Sequence, residues 1–295
     1  MLFQLAAEAS VHNPKHKLRE TSKFVIRALV YKRQFKQMVS LFCSENRQHV
    51  FHRQPNFLMK CMIPYLHIGL SKNDIIQLLD YHHSWIEQTF TPGAIKNLYH
   101  NQVCLSDLMI GDEFYKINLR YDHKVRKEGE LALSLEDSAG VSYYMLAFSV
   151  SQKGILVGCM QGGANDNGFS RKFTKAFYGL RPKSFMVETI QLLAQLLHIP
   201  HLYAVKNSGH IYNAKRYGKK AQTINLNYDQ LWEEHDGEVY DEWFYQLPLE
   251  SKRRAMEDIK RPKRKMYRER YEWLDGYKEQ LAQSLEPLLN SSTVK

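Results

Sequence analysis

Between Gly154 and Gly162 the chain carries an apolar run, Ile155 to Met160, interrupted only by Gly158. Such a run bounded by glycines predicts a strand buried on both faces. A polar loop and a basic segment follow it, and Pro182 then suits the first turn of a helix, where its missing N–H costs nothing. Met186, Ile190, Leu193 and Leu197 fall at helical spacing beyond it, with Phe185, Thr189, Leu192 and Leu196 as a second stripe. An apolar face that wide predicts a helix lying on a sheet. Pro200 ends it, and Leu202 to Val205 reads as the next strand. Strand, helix, strand in this order predicts a crossover joining two parallel, adjacent strands.

The pattern before this unit changes once. Over residues 22 to 43, Phe24, Ile26, Leu29, Val30, Phe35, Met38, Leu41 and Phe42 recur every three or four positions, predicting one helix with a basic outer face. Pro55, Pro64 and Gly69 break helix over 54 to 70. Asn73 or Asp74 can cap a second helix carrying Ile75, Leu78, Leu79, His82 and Ile86, in which His82 and His83 read as structural. From about residue 103 the period becomes strand-like. Leu131, Leu133 and Leu135 alternate with small residues, Asp137 to Gly140 is a turn, and Tyr143 to Val150 is apolar. Residues 111 to 162 are therefore expected to form an antiparallel meander.

After Val205, Thr223, Ile224 and Leu226 suggest one more strand. From Ser251 the chain is expected to be helical and basic, broken at Pro262, with Tyr267, Tyr271, Leu274, Leu281 and Leu285 docking a last helix. The expected fold class is α+β: a mixed, mainly antiparallel sheet with helical N-terminal and C-terminal parts. Three parts are expected, a helical 1–102, a mixed-sheet core over 103–230 and a basic helical 231–295.

Composition adds a core and a charge. The chain is 44% hydrophobic and 24% charged, ordinary for a folded protein, with a formal net charge of +10. That balance points to an acidic partner, an anionic ligand or an anionic membrane surface. Nucleic acid is disfavoured, because no helix-turn-helix signature is legible. No C-x-x-C pair occurs, and Cys43, Cys61, Cys104 and Cys159 read as buried free thiols of a reducing compartment. No apolar run long enough for a signal peptide or for the roughly 20 residues of a membrane span is present, so a cytoplasmic protein, peripheral at the inner membrane at most, is expected. Walker-type loops, metal-spaced clusters and Ser-His-Asp or Cys-His patterns are not legible, and no metal is expected. The oligomeric state is not readable.

Four segments resemble one family. Met160-Gln161-Gly162-Gly163, Gly179-Leu180-Arg181-Pro182-Lys183, Tyr228-Asp229-Gln230-Leu231-Trp232-Glu233 and Lys263 to Tyr271 are similar to the VirK/YbjX family, over about residues 20 to 285. The resemblance implies a role in virulence, antimicrobial-peptide tolerance and envelope remodelling. It carries no catalytic residues with it. The order of elements, antiparallel hairpins followed by a polar glycine loop, a helix and a parallel strand, is in turn similar to the GNAT acyltransferases. That resemblance implies acyl-CoA held at the loop and the helix start. The superfamily's loop is Q/R-x-x-G-x-G/A, whereas in Gln161-Gly162-Gly163-Ala164-Asn165 the glycines follow the glutamine at once. Asn207, Ala214, Tyr217 and Gly218 are similar to its N…A…Y…G run, with altered spacing.

Three candidate sites follow. Gln161, Gly162, Gly163, Asn165, Arg181 and Lys183 would bind the cofactor, since backbone N–H groups at a helix start attract anions and the basic pair can clamp phosphate. His210 would be a catalytic base and Tyr217 the acid that protonates a thiolate leaving group, with Glu188 as an outside candidate. The basic stretch from Lys252 to Arg270 would meet phosphates of lipid or nucleic acid. Two functions are thus expected as alternatives: an acyl-CoA-dependent acyltransferase-like core, or a non-enzymatic basic peripheral protein binding anionic lipid or an envelope-biosynthesis partner.

Overall fold

The structure, a computed structural model, describes residues 2–10, 17–43, 47, 50–51, 54, 56–163, 166–224 and 226–291. Three helices open it: α1 (Leu2–Ser10), α2 (Lys17–Val30) and α3 (Lys32–Phe42). The single helix expected over 22 to 43 is thus two, because Tyr31 leaves helical geometry at φ −108°, ψ 44°. The break lets both halves bury their own stripe, Phe24 and Ala28 on α2, Phe35, Met38 and Phe42 on α3. A 3-10 segment, Phe57–Met62, runs fully buried before α4 (Lys72–Thr89). Ser71 caps α4: its Oγ accepts the Asp74 N–H while the Asp74 carboxylate accepts the Ser71 N–H, a capping box with Asp in the usual Glu position. The start lies two residues before the expected cap. Thr91 Oγ1 caps α5 (Pro92–His100) by accepting the Ala94 N–H, with Pro92 in its first turn.

The sheet follows. Strands β1 (Val103–Ile110), β2 (Glu113–Arg120), β3 (Leu131–Asp137), β4 (Ser142–Ser151) and β5 (Gly154–Gly162) form an antiparallel meander. It begins one strand earlier than expected. Helices α6 (Phe169–Ala176) and α7 (Pro182–Leu196) lead to β6 (Leu202–Val205), which pairs parallel to β5, as the crossover pattern requires. Then α8 (Tyr228–Glu233), β7 (Glu238–Val239) and β8 (Phe244–Leu247) precede the last helix, α9 (Arg264–Leu285). The sheet order is β1-β2-β3-β4-β5-β6-β8-β7. It is one mixed, mainly antiparallel sheet with helices at both ends, as the apolar pattern predicts.

The strand expected around Thr223 to Leu226 is absent: Lys215–Thr223 makes 3-10 turns kinked at Gly218. Its place beside β6 belongs to β8, a run too short and too aromatic to stand out in the sequence. The helix expected from Ser251 begins only at Arg264.

Consecutive residues of β3, β4 and β5 are buried, so both faces of the sheet are covered. Helix α4 packs on β4 and α5 on β1 and β2, while α7 packs on β3 and β4 and α9 on β1 and α7. Of the four cysteines, Cys61 and Cys159 are buried, but Cys43 and Cys104 are exposed, contrary to the burial expected of all four. No helix among the described residues is long and apolar enough to cross a membrane.

Candidate functional site

Strands β5 and β6 pair only at Ile155/Leu202, Leu156/Tyr203 and Val157/Ala204, and then part. A sheet that splits at strand carboxyl ends leaves a crevice, the usual place for a ligand. Here α8 enters the gap. The Tyr228 hydroxyl donates to Met160 O at 3.0 Å and accepts the Met160 N–H at 3.2 Å, and Trp232 Nε1 donates to Val205 O at 2.8 Å. The backbone groups freed by the split are thus satisfied by the protein's own side chains.

The expected catalytic pair lies beside this gap. His210 is 1% exposed and stacks on Tyr228, ring centroids 5.3 Å apart. Its Nδ1 accepts the Tyr212 N–H at 3.3 Å, which puts the neutral ring's proton on Nε2, 3.2 Å from Glu128 Oε1. The Nδ1 lone pair is engaged by the backbone, while Nε2 makes no hydrogen bond among the described residues. The residue expected as the base is thus a buried group at the gap. Tyr217 is half-buried, its hydroxyl donating to Pro64 O at 3.3 Å and its ring under Lys127 Nζ at 4.6 Å. Burial raises the Tyr217 phenol, and pushes that of Tyr212, which stands between the two, up to about 12. Both remain hydrogen-bond donors at neutral pH. Glu188 sits elsewhere, on α7 in a small cavity with Ser251, Arg253 and Arg270, its carboxyl raised by burial.

The residue that sequence reasoning missed here is Glu128. It is fully buried, accepts the Gln161 amide at 3.0 Å, and its Oε2 has no hydrogen-bond partner among the described residues. Its loop, between β2 and β3, lies against the β5 bulge. A Cβ at Gly158 would stand 1.9 Å from Glu128 O, so only glycine permits that approach. Two residues on, Glu130 is also buried. Its Oε1 takes the Lys60 ammonium and the Tyr65 hydroxyl (2.8 Å), and its Oε2 lies 3.3 Å from Gln54 Nε2 and 3.6 Å from His83 Nε2. Burial pushes the Glu130 carboxyl up, but the Lys60 ammonium and the two histidines outweigh it and hold it below the usual carboxylate range. Two carboxylates flanking a glycine at the edge of the apolar run Leu131 to Leu135 were the available signal.

The predicted cofactor residues are divided. Gln161 is tied to Glu128, whereas Gly162 and Gly163 are exposed and Asn165 lies outside the described residues. Gly163 donates to Tyr143 O at 2.7 Å, and a Cβ there would meet Ser142 O at 2.9 Å, so this glycine serves a close backbone approach. Helix α6 separates the loop from α7. Arg181 and Lys183, exposed at the α7 start, join Arg171 and Lys175 around a cavity of about 870 Å³. Arg270, outside this lining, donates through Nε (3.0 Å) and Nη2 (2.7 Å) to the carbonyl of the lining residue Tyr178, where Tyr178 and Gly179 turn at φ 52° and 80°. Within the basic stretch Arg253 pairs with Asp275 and Arg264 Nε donates to Ile259 O, so part of that charge serves the fold.

A second, more basic crevice of about 750 Å³ opens between α2, the Phe57–Met62 segment, the β2–β3 loop and the Lys215–Thr223 turns. Lys23, Arg27, Lys60, Arg126, Lys127 and Arg216 line it against one carboxylate, Glu20, which Lys23 already engages at 2.8 Å. Arg27 and Arg216 form no ion pair among the described residues, and burial followed by the Arg216 charge lowers the Arg27 guanidinium. Phe24, Phe57, Met59 and Ile63 give the crevice apolar wall. No group of three or more His, Cys, Asp or Glu among the described residues is placed to hold a metal.

A family model described as "Protein of unknown function (DUF535)" matches residues 13–283. The chain is 28% identical over 278 residues to "Uncharacterized protein YbjX" of Escherichia coli (strain K12), covering 90% of this chain and 84% of that protein. It is 33% identical over 172 residues to an "Uncharacterized protein" of Haemophilus influenzae (strain ATCC 51907 / DSM 11121 / KW20 / Rd), 55% of each chain. No solved structure matches the chain at a significant level. With nearly its whole length matched, the chain belongs to the DUF535 family, the family of VirK and YbjX.

Proposed function

We propose that this protein recognises a phosphorylated, partly apolar ligand in the basic crevice beside α2, and that this recognition underlies an envelope-remodelling role of the VirK/YbjX type, with its links to virulence and antimicrobial-peptide tolerance. One observation carries the reading: Arg27 and Arg216, with no ion pair among the described residues, converge on a cavity lined by six Lys or Arg and one carboxylate. Like charges held together cost energy until an anion lies between them. The apolar wall beside them suits the non-phosphate part of such a ligand.

Calorimetric titration with inorganic pyrophosphate and with short-chain phosphatidylglycerol tests this. Binding that weakens with salt is expected, and Arg216→Ala, at an exposed position, weakens it by about tenfold or more, the worth of one charge-assisted hydrogen bond of about 1.5–3 kcal/mol. Equal affinity in both proteins, or none up to about millimolar ligand, overturns the reading.

A second reading, an acyl-CoA-dependent acyltransferase-like core, is favoured by the cavity at the α7 start with Arg171, Lys175, Arg181 and Lys183. The parallel pairing of β5 and β6 after an antiparallel meander is also similar to the GNAT order. Because Tyr228 occupies the Met160 backbone, the pantetheine arm would lie outside the strand gap, against α6 and α7. Acetyl- and longer acyl-CoA at a hundredfold excess over the dissociation constant would stabilise the protein by about 2.7 kcal/mol, read as a raised Tm. The shift vanishes in an Arg181→Ala, Lys183→Ala variant on this reading. No shift in the natural protein ends it.

A further inference from the structure

Helix α2 has a face that no described residue covers. Leu18 is 86% exposed, Ile26 59%, Leu29 62% and Val30 66%. At 100° per residue these four fall within an arc of roughly 120°, on the side away from the buried Phe24 and Ala28. Four large aliphatic side chains in water on one helix are not the scattered apolar residues of an ordinary surface. One edge of the arc adjoins Lys23 and Arg27, which line the basic crevice. Within the arc lie the exposed Ser22 and Arg19, and Lys17 and the α3 residues Lys32, Arg33 and Lys36 are exposed cations as well.

We infer that α2 is a bilayer-docking helix: it lies in the headgroup region of an anionic membrane with Leu18, Ile26, Leu29 and Val30 inserted, and it sets the mouth of the crevice at headgroup depth. Exposed aliphatic residues with Lys and Arg at one edge and Arg19 among them are the pattern of a helix lying in a membrane interface. The cations supply the attraction to anionic lipid, and the aliphatic groups supply the insertion. Charge also argues against a second copy of this chain as the occupant. A symmetric contact through α2 would bring the same cations against each other. The inference rests on the anionic-ligand reading of the crevice and names its source: a lipid presented from the bilayer rather than a free phosphate.

Vesicle flotation separates the possibilities. The full chain is mixed with vesicles of roughly 30% phosphatidylglycerol in phosphatidylcholine, and with pure phosphatidylcholine. Binding to the first and not to the second is expected. A Leu18→Ser, Ile26→Ser, Leu29→Ser variant alters only exposed side chains. It loses vesicle binding by at least about tenfold, yet keeps its affinity for pyrophosphate and short-chain phosphatidylglycerol. A natural protein that binds the soluble probes but not the vesicles overturns the docking inference and leaves the crevice reading intact. A natural protein that binds vesicles while the soluble probes fail to bind leaves docking and overturns the crevice reading. Vesicle binding unchanged in the triple variant also overturns the inference. So does a dimer in sedimentation that the variant dissolves, because the face is then an interface between copies.

Discussion

Glu130→Ala lowers the unfolding free energy by about 3–5 kcal/mol, measured by guanidinium denaturation at pH 7, because it strands the Lys60 ammonium in the protein interior. Lys60 is 5% exposed and Glu130 1%. The ammonium is also held by Gln54 Oε1 at 3.0 Å and lies over the rings of Phe57 and Tyr65. None of these replaces a carboxylate, since a cation buried without its partner keeps the full desolvation cost. The Tyr65 hydroxyl loses its acceptor as well, although Ser149 Oγ at 2.7 Å remains. A Lys60→Met, Glu130→Leu double variant removes both charges and is expected to cost less than Glu130→Ala alone. Two apolar groups of similar volume do without the ion pair and without its desolvation. A double variant as damaging as the sum of the single variants would show that the two groups act independently.

Acid weakens the fold from about pH 6.5 downward, and two histidines carry much of the effect. Burial pulls the His82 imidazole down to about 3 and that of His67 down to about 4. His82 Nδ1 accepts the Val150 N–H at 3.0 Å, and His67 Nδ1 accepts the Gly69 N–H at 3.1 Å. Each bond needs the neutral ring. His83 and Lys60 add positive charge near His82, and the ring of His67 lies against Trp243 and Phe244. Between pH 6.5 and about 4 the unfolded chain binds protons that the folded protein refuses. Stability therefore falls as pH falls, by up to about 1.4 kcal/mol per pH unit for each ring. Glu130 adds to this only under about pH 4.5, where the unfolded carboxyl takes a proton and the folded one does not. Denaturation midpoints at pH 7, 6, 5 and 4 should trace the slope, and His82→Asn should flatten it by about 1.4 kcal/mol per unit while lowering stability at pH 7. A midpoint constant from pH 7 to 5 would contradict the assignment.

Both predictions concern residues that the sequence showed only dimly. His82 and His83 read as structural helix residues, and their burial on α4 agrees with that. Nothing in the spacing of Lys60, Glu130 and His83 brings the three together, since they come from a 3-10 segment, the edge of β3 and the middle of α4. The pairing exists because the β2–β3 loop folds under the N-terminal helices. The same holds for Glu128 and His210, more than eighty positions apart, joined where β5 and β6 diverge. His210 was visible as a histidine after a central strand. Its burial beside Glu128 was not.

Where the fold depends on local periodicity, the residues alone suffice. The alternation of Leu131, Leu133 and Leu135, the glycine-bounded run of β5, and the Pro182-led amphipathic α7 determine a meander followed by a parallel crossover. Each element must bury a face whose period matches its own geometry. The net charge of +10 likewise makes an anionic partner the one to propose. Tertiary structure alone decided where that charge gathers. Arg27 from α2, Lys60 from the 3-10 segment, Arg126 from the β2–β3 loop and Arg216 from the 3-10 turns after β6 meet at one crevice. A surface cation is fixed in place by the element beneath it, not by its sequence neighbours. The convergence therefore follows from packing between distant elements, to which a one-dimensional pattern is blind.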